Sequence, residues 1–499
     1  YEITYGDWSS DVCSSDLTAL CNALSKIVAS ESLLTEPEEL TPYECDGLTA
    51  LREVPLAVVL PENLDQLRAI VALCNQMQVA VVTRGAGTGL SGGARPSKDA
   101  LLIGLAKLNR ILKINSDRKS ITVEPGVTNL AISQAVSHLN LYYAPDPSSQ
   151  IACTIGGNVA ENAGGVHCIK YGLTVNNVLQ VRMLTIDGEL LTFGSESLDT
   201  TGYDLLSLVV GSEGLLGIVT EVTVRLLDRP PEVRLLLAAF DQIEVAGDAV
   251  GAILTAGITP AGLEMMDHRS IQAAEDFTHA GYPREAAAIL LCELDGRSPE
   301  SVAEQAIKSI EILKQCGATQ VIEAKSEAHR NQLWAGRKGA FPAIGRISPD
   351  YYVMDGTIPR RHLGTVLQQI DQLSNEFGLE VANVFHAGDG NLHPLILYDA
   401  NQPGELQKAE QMGTEILKHC IEAGGSITGE HGVGLEKLDA MCSQFNESEL
   451  SLFHQLKQVF DPHNLLNPGK AIPTLHRCAE LGAMHVHHGQ LPHPELERF

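Results

Sequence analysis

A glycine run that follows a strand but opens no helix constrains this chain more than any other feature. Val79-Ala-Val-Val-Thr83 is a short, β-branched apolar run, the pattern of a buried strand. It leads into Arg84-Gly-Ala-Gly-Thr-Gly-Leu-Ser-Gly-Gly93, where Gly87, Gly89 and Gly92 match G-x-G-x-x-G. In a Rossmann fold that pattern must open a helix inside a βαβ unit. Here Gly93, Pro96 and a strand-like Leu101–Gly104 follow, so no helix N-terminus is on offer. The loop still presents consecutive backbone N–H groups, which can form a nest for an anion such as pyrophosphate. Two further segments support a dinucleotide guest. One is Thr154-Ile-Gly-Gly157 with Asn162-Ala-Gly-Gly165; the other is Gly211-Ser-Glu-Gly214-Leu-Leu-Gly217-Ile-Val219. Each alone reads as a turn, but the three in succession favour a cofactor.

Strand and helix alternate around these loops. Leu56–Leu60 reads as a strand, Pro61–Cys74 as a helix, and Ala100–Leu105, Ile111–Asn115 and Ser120–Glu124 as strands. Val127–Leu139 reads as a helix, and Asp187-Gly188 as a hairpin turn between strands. After an exit strand at Gly217–Leu227, Arg229-Pro-Pro231 marks a boundary. The block beyond it alternates again, with strands at Val233–Phe240, Ala287–Glu293, Thr319–Glu323, Val353–Ile358 and Val381–Phe385. Helices are expected at Ile243–Ala256, Ser298–Cys316, Leu363–Glu376, Glu405–Gly424 and Ser448–Phe460. This predicts an α+β chain with an antiparallel sheet covered by helices on one face. The expected divisions are an N-terminal helical segment 18–52, a cofactor domain 53–228, a second domain 229–425, a C-terminal segment 426–473 and a tail 474–499. The tail holds His476, His485, His487, His488 and His493 and reads as partly ordered. Residues 1–17 are set aside, because Asp7–Leu17 looks like one reading frame of a sequencing-adapter oligonucleotide.

Charge and cysteine usage exclude several classes of function. A formal net charge of −27 over 499 residues argues against nucleic-acid binding and against docking on anionic lipid through a basic patch. There is no apolar run long enough for a transmembrane helix and no secretory signal, so a cytoplasmic location is expected. Eleven cysteines without any C-x-x-C fit a reducing compartment and exclude the usual iron–sulfur ligand spacings. An iron–sulfur cluster served by this chain would sit on another subunit.

The second block carries a metal-type constellation. His386-Ala-Gly-Asp-Gly-Asn-Leu-His393 and Ser426-Ile-Thr-Gly-Glu430-His431-Gly-Val-Gly434 supply imidazoles and a carboxylate inside glycine-rich turns. His386, His393 and Glu430 make a ligand set for a divalent ion such as zinc with open positions, where a substrate oxygen can be polarised.

At these residues the sequence resembles a known family. Residues 55–228 look like the FAD-binding domain of the vanillyl-alcohol-oxidase and p-cresol-methylhydroxylase flavoproteins (the PCMH type). Residues 229–473 look like the FAD-linked oxidase C-terminal domain. Trp334-Ala-Gly-Arg337-Lys-Gly-Ala-Phe341, Arg346-Ile-Ser-Pro-Asp-Tyr-Tyr352 and Asp355-Gly-Thr-Ile-Pro-Arg360 place the resemblance in the glycolate-oxidising branch. The resemblance implies a two-subdomain FAD domain, a ferredoxin-like antiparallel substrate domain and a C-terminal helical return. Arg84, Gly85, Ala86, Gly87, Thr88, Gly89, Leu90, Ser91 and Gly92 would wrap the FAD pyrophosphate. Pro145, Asp146, Ser148, Thr154, Gly156, Gly157, Asn162, Gly164 and Gly165 would line the flavin side. Glu213, Gly214, Gly217 and Ile218 would close the cleft, and Asn467 would return to it. His386, His393 and Glu430 would bind the metal, His431 would lie against the substrate, and Arg337 would bind its carboxylate. The relatives imply an iron–sulfur partner, a second flavin-type subunit and, through them, peripheral attachment to the inner membrane.

Departures from the family pattern narrow the expectation. Thr88 and Ser91 stand where covalent flavoproteins carry a His or Cys, so noncovalent FAD is expected. Phe341 and Tyr352 replace the Thr and Lys that relatives acting on 2-hydroxyglutarate carry, which favours glycolate or D-lactate over a dicarboxylate. The expected reaction is hydride transfer from the substrate α-carbon to flavin N5, with a metal-assisted loss of the hydroxyl proton to His431. The rivals are a stand-alone D-2-hydroxyacid dehydrogenase and a non-catalytic flavin-binding subunit. The presence of His386, His393, Glu430 and Arg337 together argues against the latter.

Overall fold

The computed structural model describes residues 14–196 and 202–474. The tail histidines lie outside the described residues. The helix Ser14–Leu24 reaches into the segment set aside above, and its Leu20 and Leu24 are fully buried.

Three sheets organise the chain. The first has the spatial order Leu33–Leu34, Ala57–Val59, Ala100–Gly104, Ala80–Arg84. Its last three strands are parallel. Ala57–Val59 and Ala100–Gly104 are buried throughout, so they read as continuous apolar runs. The helix Leu64–Met77 crosses over between parallel strands. Asn63 caps it by accepting from the Gln66 amide, and Leu67, Ile70, Val71 and Cys74 form its buried stripe at helical spacing. Each of those large side chains contributes roughly 1.5–3 kcal/mol by leaving water. No helix separates Ala80–Arg84 from Ala100–Gly104, as the glycine run predicts.

The second sheet is antiparallel, in the order Ile111–Asn115, Ser120–Val123, Ile218–Arg225, Val178–Leu184, Leu190–Gly194. One expectation is corrected beside it. Thr154–Gly157 is not a plain turn: it opens the helix Ile155–Glu161, with the Thr154 side chain accepting from the Gly157 amide. Ser/Thr capping outweighs the low helix propensity of two glycines when the helix is short and packed.

The third sheet has seven strands in the order Gln320–Glu323, Glu232–Phe240, Ala288–Gly296, Gly262–Asp267, Val381–Phe385, Pro394–Tyr398, Asp350–Val353. Its first four strands keep the fourth-first-third-second order of a ferredoxin-like unit, with all neighbours antiparallel. Three further strands extend that unit, so the sheet is wider than expected. Around this sheet, the helices His268–Thr278, Glu327–Lys338, Ala340–Ile344 and Leu438–Gln444 lack a reading above.

The chain then returns to the first sheet. After the helix Glu447–Phe460, Val81 and Leu466 pair as parallel neighbours, and the Asn467 amide donates to the Val81 carbonyl at 2.7 Å. Among the described residues no helix is long and apolar enough to cross a membrane.

Candidate active site

A cavity of about 340 Å³ lies where the first two sheets meet the third. One wall is the glycine loop, with Gly85, Ala86, Gly87, Thr88, Gly89 and Leu90. Ser148, Thr154 and Gly157 continue that wall, and Lys338, Phe341, His393, Glu430 and His431 face it. A smaller chamber of about 70 Å³ adjoins it, lined by Arg84, Gly156, Glu213, Gly214 and Gly217 among others. Most of the residues expected to hold a dinucleotide therefore share one cleft.

Several do not form its walls, and each has another partner. Ser91 and Gly92 lie behind the loop, where the Ser91 carbonyl accepts from the Leu435 and Glu436 amides and Gly92 packs on Leu435. The Pro145 carbonyl accepts from Asn129. Asp146 bonds His167 at 2.9 Å. Asn162 accepts from the Val175 amide. Gly165 packs on the Asp146 backbone, and Ile218 is core. Gly164 passes so close to Glu430 that a Cβ there would strike its carboxylate. Asn467 clamps the loop from below, donating to the Gly93 and Glu213 carbonyls at 3.0 and 2.8 Å.

The metal-type residues converge. His386 and His393 flank the sharp turn between Val381–Phe385 and Pro394–Tyr398, where Gly390 takes a φ of +75°. The Nε2 atoms of His386 and His393 lie 3.1 and 3.4 Å from Glu430 Oε1. Ligands about 2 Å from a tetrahedral ion sit roughly 3.3 Å apart, so this donor set fits such an ion. The His386 and His393 rings cross at 84° with centroids 5.1 Å apart. A second triad, Asp355, His393 and His431, is equally close. Asp355 fits a metal less well, because one of its oxygens is already crowded with donors. Its Oδ2 accepts from Thr428 Oγ1 at 2.6 Å, the Gly429 and His431 amides at 3.0 and 2.9 Å, and Lys437 Nζ at 3.2 Å.

Electrostatics separate the roles. Burial alone would raise the Glu430 carboxyl, but His386 and the other imidazoles hold it down at about 2, so it is an anionic donor. Burial lowers His431 to about 4 despite the pull of Asp355, so its ring is neutral near pH 7. Its Nδ1 is buried without a hydrogen-bond partner. The ring stacks on His393, with centroids 4.7 Å apart.

The structure places two of the expected residues differently. Arg337 is 1% exposed and does not line the cavity: it lies beneath it, Nη2 2.7 Å from Glu264 Oε2, with Nε and Nη2 lacking any hydrogen bond. The turn of the helix Glu327–Lys338 puts Lys338, not Arg337, on the wall. Tyr352 sits in the core of the third sheet, on the inward side of the strand Asp350–Val353, so only Phe341 of the two aromatics narrows the cavity. Sequence reasoning also missed Asp355, Glu264 and Lys437 as parts of the site. Glu264 carries a legible signal, an acid set between apolar residues inside the strand Gly262–Asp267. Lys437 carries none.

A glycine loop without a helix, a second antiparallel subdomain and a ferredoxin-like cap meeting at one cleft define a flavoprotein of the PCMH type. The chain belongs to the FAD-linked oxidase family: the model for "FAD binding domain" matches residues 55–194 and that for "FAD linked oxidases, C-terminal domain" matches residues 229–471. It is 62% identical to glycolate oxidase subunit GlcD of Escherichia coli (strain K12), over 97% of each chain. It is 32% identical to D-lactate dehydrogenase of Anaerostipes hadrus, over 83% of this chain and 89% of that protein. Its backbone matches substrate-bound p-cresol methylhydroxylase with a TM-score of 0.79, over 93% of this chain and 98% of that one, at 17% identity. That last likeness concerns the fold alone.

Proposed function

We propose that this chain oxidises glycolate, and D-lactate as a second substrate, to the 2-oxo acid with noncovalent FAD and a divalent ion, zinc by the nature of its ligands. The observation that carries this reading is the convergence of His393, Glu430 and His431 on the cavity wall that faces the glycine loop, with His386 clustered behind them on Glu430. Bound FAD supplies the acceptor for the hydrogen and electron pair leaving the α-carbon. An ion held by His386, His393 and Glu430 supplies a Lewis acid for the substrate oxygens. His431, whose ring lies on the cavity wall and is neutral near pH 7, takes the hydroxyl proton. Arg337, packed beneath the cavity, receives the substrate carboxylate through Nε, a donor with no hydrogen bond that is costly to leave unpaired, while Nη2 pairs with Glu264. Phe341, edge-on to His393, limits substrate size. The Thr88 and Ser91 side chains give the flavin no nucleophile for a covalent tether. The subunit name of the Escherichia coli relative supports a multi-subunit assembly; in this reading electrons pass within it to an iron–sulfur partner and then to quinone.

The test is anaerobic flavin absorbance with glycolate, D-lactate, L-lactate and D-2-hydroxyglutarate added in turn. Glycolate should bleach the flavin and an artificial acceptor should restore it. Dialysis against a chelator should abolish bleaching while FAD stays bound, and His386→Ala should behave like the dialysed protein. Full activity of His386→Ala in metal-free buffer would remove the metal from the reading. A flavin reduced by D-lactate alone would favour the rival reading, a stand-alone D-2-hydroxyacid dehydrogenase, which the Anaerostipes relative supports.

A further inference from the structure

Glu264 is a buried charge that the chemistry above does not use. It lies in the strand Gly262–Asp267, buried along its whole length, and is 1% exposed itself. Leu263 and Met265 face one core cluster and Met266 the other. The pleat puts Glu264 on the side of Met266, beneath the helix that carries Arg337. A carboxylate in such a place is costly unless its oxygens are paired. Both oxygens have a close partner, in different directions, Oε1 through a hydrogen bond and Oε2 through an ion pair without hydrogen-bond geometry. Oε1 lies 2.9 Å from His386 Nδ1, and Oε2 lies 2.7 Å from Arg337 Nη2. His386 turns its other nitrogen, Nε2, toward Glu430 at 3.1 Å.

We propose that Glu264 is a positioning residue that orients the metal ligand His386 and the carboxylate-binding Arg337 with one shared charge. This rests on the roles given to those two residues above. By accepting from Nδ1–H, Glu264 selects the tautomer whose Nε2 lone pair points at the ion, and it raises the basicity of that nitrogen. By standing beside Nη2, it supplies the counter-charge that lets a guanidinium remain buried while Nε stays free for a substrate carboxylate. One carboxylate serving both groups couples them.

The test is Glu264→Gln, which keeps the shape but leaves one acceptor oxygen for two donors. Purified variant and wild type, both with FAD bound, are dialysed free of metal and titrated with buffered Zn²⁺. The variant should bind zinc about 10–100-fold more weakly. At saturating zinc its KM for glycolate should rise about tenfold or more, with kcat falling less. Glu264→Asp, which keeps the charge but draws it back, should recover part of both losses. A merely structural role would lower the melting temperature and leave zinc affinity and the KM-to-kcat split untouched, and that result would overturn the proposal. A loss confined to zinc affinity or to KM alone would overturn the shared role. If the Gln variant does not retain FAD, the Asp variant decides by the same two readouts. A wild type that binds no zinc would instead remove the metal reading on which the proposal rests.

Discussion

Asp355 shows how much one side chain decides in this site. Its carboxylate is fully buried and gathers the Gly429, Glu430 and His431 amides, the Thr428 hydroxyl and Lys437. Burial works against its charge, but Lys437 and the neighbouring imidazoles hold it well below the usual carboxylate range. The loop that presents Glu430 and His431 is therefore moulded around one anion. Asp355→Asn should cost about 3–5 kcal/mol, because buried Lys437 would lose its nearest counter-charge and keep only Glu436, 3.7 Å away. Denaturant unfolding monitored by flavin fluorescence measures this, and a loss under 1 kcal/mol would contradict it. The motif that contains Asp355 is legible in the sequence, but its role is not. A motif shows which residues recur together, and only the fold shows that three backbone amides point at this one.

At the scale of the element, the turn after Glu430 joins the two halves of the molecule. Glu213 accepts from the Val433 and Gly434 amides, both at 2.7 Å, and the Leu435 amide donates to the Ser91 carbonyl at 2.9 Å. Gly434 has a φ of +53°, and a Cβ there would run into the Ser91 backbone behind the glycine loop. Gly434→Ala should therefore cost about 1–3 kcal/mol in strain and loosen the loop that holds FAD. The measurement is the fraction of flavin retained through gel filtration; full retention would sink the idea. Elements with a single clear period, such as Leu64–Met77 and Pro299–Gln315, are legible in advance. The stretch 262–278 is not, because an apolar strand runs straight into an amphipathic helix. Asp267 ends the strand and caps the helix at once, accepting from the Ser270 amide.

Across the whole molecule, the cofactor domain and the substrate domain are tied by partly buried ionic contacts. His167 bridges Asp146 on its own side and Glu293 across the junction, at 2.9 and 3.0 Å. Lys170 and Tyr171 both reach Asp295. Two carboxylate partners require both ring nitrogens of His167 to carry hydrogen, so the ring is a cation. Burial would lower its affinity for the proton, but Asp146 and then Glu293 outweigh it and hold the ring well above its ordinary value. A raised folded value means the stabilisation is complete below the unfolded value of about 6.5 and is lost as pH climbs through the folded one. His167→Gln should therefore destabilise by roughly 1–3 kcal/mol at pH 6, and the gap to wild type should narrow above neutral pH. Melting curves at pH 6 and pH 9 test this; a gap that widens with pH would refute it.

The division between sequence and tertiary structure follows from range. Strand and helix periods, the glycine loop that opens no helix, and the identity of His386, His393, Glu430 and His431 all rest on neighbours within a few positions. They are therefore fixed by local chemistry. Which cation faces the cavity, which aromatic narrows it and which acid orients His386 depend on contacts between residues more than a hundred positions apart, as between Glu264 and His386. Helix rotation turned Lys338 to the wall and Arg337 beneath it, and strand pleat sent Tyr352 into the core. A motif names the residue types a site requires; packing decides which face of an element each one occupies.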